Sequence, residues 1–177
     1  QLVARGADLT GVDVQPQMVE FARKRLGQSA RFEVVDLAEP WSGPPPQSVD
    51  VVVASLVLHY IEDWAPLLST LHRCLTPGGA FVFSVHHPAA DWQWFGRPDY
   101  LTTELVSETW DVEGHDVDVS SYRRPLSAIF DQLRDAGFVV RDLAEPRPQP
   151  ELRFLSPQAF TELDTKSAFL LLRAVSE

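Results

Sequence analysis

Thiols are nearly absent from this chain. Its one cysteine, Cys74, excludes any internal disulfide and suits a reducing, cytoplasmic setting. Cys74 falls inside a helical apolar pattern, so it reads as a buried thiol. Positive charge is also scarce: 15 Lys and Arg stand against 25 Asp and Glu, a net charge of −10. Nucleic-acid backbones and anionic membrane surfaces need a basic face, which this balance does not supply; a local basic pocket stays open. No hydrophobic run is long. The longest, 51–58, is far below the roughly 20 residues that span a bilayer. There is no internal repeat. What is present is 177 residues with 45% hydrophobic content, enough for one domain with a core and too little for two comfortable ones.

Periodicity then orders the elements. Leu2 to Ala7 reads as the tail of a helix with Gly6 near its end. A short strand over 9–14 leads into a helix, with Pro16 at its first position and an apolar stripe of Met18, Val19, Ala22 and Leu26. A second strand, 31–35, ends at Asp36. "SGPPPQS", 42–48, is a loop by composition. The valine-rich run 49–56 predicts a strand buried on both faces. Leu67, Leu68, Leu71, Cys74 and Leu75 make an amphipathic helix stopped by "TPGG", and "AFVFSV", 80–85, is another strand. This alternation implies an α/β fold with a parallel sheet.

The texture changes over 86–124, which holds Trp92, Trp94, Trp110, Tyr100 and Tyr122 among many charges. Glu104–Asp111 and Val117–Tyr122 suit an antiparallel pair around "EGHD". A helix resumes with Leu126, Ile129, Phe130 and Leu133 and is closed by Gly137. Strands over 138–143 and 168–175 flank a stiff proline-rich connection at 145–151.

Asp13 ends the first strand just before a helix. Such a carboxylate can accept from both vicinal hydroxyls of a ribose, each charge-assisted bond worth roughly 1.5–3 kcal/mol. Open α/β sheets bind ligands beyond the carboxyl ends of their strands. Asp36 repeats the pattern one strand later, where it suits an exocyclic amine such as adenine's. Met18 and Leu37 would be apolar walls. An ordinary helix entry for Asp13 and a solvated loop position for Asp36 are the plain alternatives.

Three segments in this order, "GVDVQPQMVEFARKR", "VVDLAE" and "VDVVVASLVLHYIEDWAPLLSTLHRCLTPGGAFVFSV", resemble the class I S-adenosylmethionine-dependent methyltransferases of the small-molecule type. The later "DAGF" and "EP" segments are similar to that family's C-terminal portion. The resemblance implies a Rossmann-like, mostly parallel sheet, S-adenosylmethionine as cofactor and in-line methyl transfer to a small-molecule acceptor. It assigns Asp13 to the ribose, Asp36 to the adenine, and Val14, Met18, Leu37 and Ser55 to the cofactor's surroundings. The family's first central strand and its glycine-rich loop have no counterpart here, and Gln15 stands where a Ser or Asp cap is usual. The expectation is therefore a single methyltransferase domain over 1–177 that is N-terminally incomplete, a fragment with impaired cofactor binding.

His59 and His86 follow strands and are the candidate bases, with packed or turn positions as alternatives. No metal site is expected, because no carboxylate or cysteine stands at ligand spacing from the histidines. The insert 86–124 reads as a lid or acceptor pocket, with Tyr60, His87, Trp94, Tyr100, Trp110 and Tyr122 as acceptor contacts. Glu104 and Glu108 read as solvated acids or contacts to a polar acceptor. Arg123 and Arg124 read as surface arginines, or else as partners of an acidic acceptor. Two other functions compete: a non-catalytic methyltransferase-like protein, and a nicotinamide-dependent oxidoreductase, whose ribose also suits an acid after the second strand.

Overall fold

The computed structural model describes residues 1–96, 99–112 and 114–177. The backbone forms two compact units, Gln1–Trp41 and Ser42–Glu177.

In the first unit, a 3-10 turn over Val3–Arg5 ends at Gly6, whose φ of +86° suits a residue without Cβ. Strand β1 (Thr10–Asp13) leads through helix α1 (Pro16–Leu26) to strand β2 (Arg31–Val34). The two strands run parallel, with Thr10 opposite Arg31 and Asp13 opposite Val34. A Cβ on Gly11 would lie 2.8 Å from the Phe32 ring, so glycine there lets Phe32 lie across β1. Of the predicted α1 stripe, Val19 is buried, Ala22 and Leu26 are half-buried and Met18 is exposed.

The second unit is built on a four-stranded sheet. Strands β3 (Val49–Ser55) and β4 (Leu75–His86) pair in parallel. After helix α2 (Ala65–Cys74) and β4 come helix α3 (Pro88–Trp94) and a hairpin of β5 (Glu104–Val112) and β6 (His115–Arg123). The hairpin matches the predicted pair; Glu113 of "EGHD" lies outside the described residues. Helix α4 (Leu126–Asp135) and strand β7 (Phe138–Ala144) follow, then helices α5 (Leu152–Leu155) and α6 (Pro157–Thr165), then strand β8 (Phe169–Ser176). The sheet order is β3-β4-β8-β7, and β8 is antiparallel to both neighbours, so the sheet is mixed.

The core follows from alternation. Phe81, Phe83 and Val85 on β4 and Leu170, Leu172 and Ala174 on β8 are buried, as are Leu67, Leu68, Leu71 and Cys74 on α2 and Ile129 and Leu133 on α4. Cys74 is the buried thiol expected; its Sγ lies 3.3 Å from the Leu71 carbonyl.

Three expectations need correction. Strand β3 is not buried on both faces: Val51 and Val53 are each 54% exposed, and β3 pairs with β4 alone among the described residues. Strand β4 begins at Leu75, not 80. Val49 pairs with Leu75 and Val51 with Ala80, so "TPGG" is looped out of a continuing ladder rather than preceding it. Helices α3, α5 and α6 are additional. Pro88 and Pro157 sit at the starts of α3 and α6, where a missing N–H costs nothing.

Candidate functional site

In the first unit, Asp13 ends β1 and Asp36 lies just past the end of its parallel neighbour β2, where the Val35 N–H donates to the Asp13 carbonyl at 3.0 Å. Each carboxylate makes a local turn. Asp13 Oδ1 accepts from the Gln15 N–H at 2.8 Å and Asp36 Oδ1 from the Ala38 N–H at 2.9 Å. The second oxygen of each has no protein donor among the described residues. Val14 and Met18 lie exposed beside Asp13 in the chain, at 51% and 54%, and Leu37 is half-buried.

The second unit holds a different cluster. At the end of β3, Leu56 takes a left-handed φ of +53°, unusual for a branched side chain. Its N–H donates to the Ser84 carbonyl at 3.0 Å and lies 3.2 Å from Ser84 Oγ. Ser84 Oγ in turn lies 3.5 Å from Ser55 Oγ. The chain then makes a 3-10 turn, Leu58–Tyr60, that buries His59 and leaves Tyr60 half exposed.

His59 stacks on His86, at the end of β4, with ring centroids 4.1 Å apart and 16° between planes. Burial, then His86 and then Arg124, push His59 down to about 3. Burial also lowers His86, against the pull of Glu108. Asp91 Oδ1 lies 3.6 Å from His86 Nδ1, and burial followed by Glu108 pushes Asp91 up to about 7. Both shifts favour the uncharged forms, so burial works against an ion pair here.

His59, Trp64, His86, Asp91, Tyr122 and Arg124 line one small pocket. Trp64 is fully buried, donates from Nε1 to the Leu58 carbonyl at 2.8 Å and meets Phe83 edge-on. The Arg124 guanidinium lies over the Trp64 ring, 4.1 Å from its centroid. Tyr122 donates its hydroxyl to Glu62 at 3.2 Å.

Of the remaining expected acceptor residues, His87, Trp94 and Tyr100 have structural partners. His87 caps α3, with Nδ1 accepting from the Ala89 N–H at 3.2 Å and Nε2 lying 2.8 Å from Glu145. The Trp94 ring is 71% exposed and its Nε1 donates to Glu108 at 3.0 Å. The Tyr100 hydroxyl accepts from the Leu126 N–H at 3.0 Å, and Trp110 is exposed on β5.

The surface reading of Arg123 and Arg124 is overturned, since they are 1% and 4% exposed. Arg123 donates from Nε and Nη2 to Glu104 Oε1 at 3.2 and 2.8 Å, and its terminal nitrogens reach the Asp99 and Tyr100 carbonyls. Glu104 is thereby paired. Asp91 and Trp64 were not singled out from the sequence, because nothing local marks them; the pocket forms only when distant segments pack. Among the described residues no group of three or more metal-ligating side chains gathers, and no helix is long and apolar enough to cross a membrane.

Residues 1–81 match the model of a methyltransferase domain family. A protein of Haemophilus influenzae is 28% identical over 95% of this chain and 72% of its own length. A trans-aconitate 2-methyltransferase of Methylobacterium radiotolerans is 39% identical, over 46% of this chain and 29% of its own. Human thiol S-methyltransferase TMT1A is 27% identical over 73% of this chain, which spans 54% of that enzyme. The crystal structure of an S-adenosylmethionine-dependent methyltransferase from Mesorhizobium loti superposes with a TM-score of 0.70 at 26% identity, covering 95% of this chain and 80% of that one. The fold is that of S-adenosylmethionine-dependent methyltransferases, and the match over residues 1–81 is to a methyltransferase domain. S-adenosylmethionine is the cofactor of that class.

Proposed function

We propose that this protein transfers a methyl group from S-adenosylmethionine to a small-molecule acceptor. The observation that carries the reading is the carboxylate pair at the ends of adjacent parallel strands. Asp13 and Asp36 each commit one oxygen to their own turn and keep the other for a ligand. Asp13 accepts from the ribose hydroxyls and Asp36 from the adenine amine. The exposed Val14 and Met18 and the half-buried Leu37 suit the nucleoside's apolar faces. Ser55, at the end of β3, is assigned to the cofactor's surroundings as well.

When bound, the cofactor supplies a methyl group already activated by its sulfonium. The protein's own task is to align the acceptor and exclude water, an effect of roughly 7–11 kcal/mol where alignment is complete. A base is needed only where the acceptor must lose a proton. His86 suits that role better than His59, which burial pushes down to about 3 and leaves a weak proton acceptor at neutral pH. Their stacking also disfavours a charge on both. The insert 86–124 and Tyr60, His87, Trp94, Tyr100, Trp110 and Tyr122 are assigned to the acceptor side. The named acceptors of the relatives, a thiol and trans-aconitate, support a small-molecule class without choosing within it.

Calorimetry on the full protein encoded by the gene tests this. Asp13→Ala should weaken S-adenosylmethionine binding at least tenfold, about 1.4 kcal/mol. An unchanged Kd refutes the ribose role. Saturable binding of NADH in a fluorescence titration would favour the oxidoreductase instead.

A further inference from the structure

His86 closes strand β4, opposite Phe169 of β8. Five residues later the chain has turned into α3, where the Asp91 N–H donates to the His87 carbonyl at 2.9 Å. That turn carries the Asp91 carboxyl back to the strand end, with Oδ1 3.6 Å from His86 Nδ1. The two side chains keep only 22% and 16% of their surface, and no other side chain hydrogen-bonds to Asp91 among the described residues. The ring of His86 is held separately: it stacks on His59, and the Phe169 ring lies 6.2 Å away. Nε2 has no hydrogen-bond partner among the described residues and, unlike Nδ1 of His59, is not closed to solvent. One nitrogen of His86 thus sits beside a carboxyl and the other is open.

We propose that Asp91 is a positioning residue for His86, its carboxyl setting which ring nitrogen carries the proton and leaving Nε2 as the base for the methyl acceptor. The base role rests on the methyl-transfer reading; the tautomer rests on the Asp91–His86 geometry. In a neutral imidazole, the hydrogen bond made at one nitrogen decides the state of the other. As a carboxylate, Asp91 accepts from Nδ1–H, and Nε2 keeps its lone pair. As a carboxylic acid it donates to Nδ1, and the proton sits on Nε2, which then accepts none. The 3.6 Å separation is longer than a hydrogen bond, as catalytic contacts often are before a substrate binds. Burial and Glu108 place the change between the two states of Asp91 at about 7, while Arg123 pulls weakly towards the carboxylate. His86, lowered from 6.5 by burial against the pull of Glu108, is uncharged at that pH. The other titratable groups around the pair are His59, Tyr122 and Arg124, which line the same pocket. In the reaction the acceptor's bond to hydrogen breaks and its proton forms the Nε2–H bond of an imidazolium, whose charge the Asp91 carboxylate offsets. The electron pair stays on the acceptor atom, which bonds to the methyl carbon as the carbon–sulfur bond breaks towards sulfur.

The full protein encoded by the gene, labelled with heavy nitrogen in its histidines, is followed by long-range proton–nitrogen spectra from about pH 6.5 to about pH 8, which show the nitrogen that carries the proton. The His86 signal is assigned from its loss in His86→Gln. In the wild type the proton should sit on Nδ1 at the upper end of the range and move to Nε2 as pH falls, with a midpoint of about 7. In Asp91→Asn, whose amide does not titrate, the tautomer should stay constant. An Asp91 that merely packs would leave the tautomer independent of pH in both proteins. A constant tautomer in the wild type, a change in the opposite sense, or the same change in Asp91→Asn overturns the proposal. If Asp91→Asn does not fold, the wild-type curve still decides, read beside the Asp91 carboxyl carbon, which should titrate with the same midpoint. S-adenosylhomocysteine is titrated into the same samples by calorimetry. Its failure to bind, with the tautomer change intact, refutes methyl transfer and the base role and leaves the positioning of His86 by Asp91 standing.

Discussion

Replacing Asp91 by Asn should reshape how stability depends on pH. Burial and Glu108 raise the Asp91 carboxyl from 3.8 to about 7 in the folded protein. Between those values the native state holds a proton that the unfolded chain has released, so wild-type stability falls as pH rises. The slope is about 1.4 kcal/mol per unit, roughly 4 kcal/mol over the whole interval. His59 acts in the opposite sense. Its folded value is about 3 against 6.5, so its contribution is lost as pH falls below about 6.5. In the wild type the two slopes oppose one another between about pH 4 and 6.5. Asn removes the first and uncovers the second. Urea denaturation followed by tryptophan fluorescence, repeated from about pH 5 to 8, should show the difference between variant and wild type moving by roughly 2–3 kcal/mol in favour of Asn as pH rises. Parallel curves over that range would refute the buried, proton-holding carboxyl.

Two further substitutions probe the frame around the pocket. Gly137→Ala meets a φ of +87° and sets a Cβ 2.8 Å from His72 Nε2. It should cost about 1–3 kcal/mol, read as a drop of several degrees in Tm, and an unchanged Tm would show that α4 ends differently. Arg123→Met leaves Glu104 and the Asp99 and Tyr100 carbonyls without their buried donor. A loss of about 3 kcal/mol is expected, with faster amide exchange in β5 and β6; unaltered protection in the hairpin would count against Arg123 as its anchor.

What was legible in the sequence was local. The stripe of Leu67, Leu68, Leu71 and Cys74 specifies α2 because residues three and four apart share a helix face. The β5–β6 pair is visible from its two runs and the glycine between them. Asp13 ends β1 and Asp36 lies two residues past the end of β2, and the parallel β1–β2 register brings those two strand ends together. The antiparallel entry of β8 between β4 and β7 left no comparable mark, since alternating apolar residues suit either direction. The exposure of Val51 and Val53 was hidden for a related reason: a valine run describes a strand that can be covered, not one that is.

The second cluster belongs to tertiary structure alone. Arg124 looks like a surface arginine until Trp64 lies against it and the Ile61 carbonyl, 63 positions away in the chain, accepts its Nη2–H. His59 and His86 are ordinary histidines until β3 and β4 pair in parallel and stack their rings. By itself the sequence determined most of the order of helices and strands, though not α3, α5 and α6, and the two acids at strand ends, because backbone periodicity and turn chemistry act over a few residues. The packing of distant segments decided which charges lost their water, and with that the protonation states of His59 and Asp91. Desolvation depends on every neighbour in space, and a chain read in one dimension does not list them.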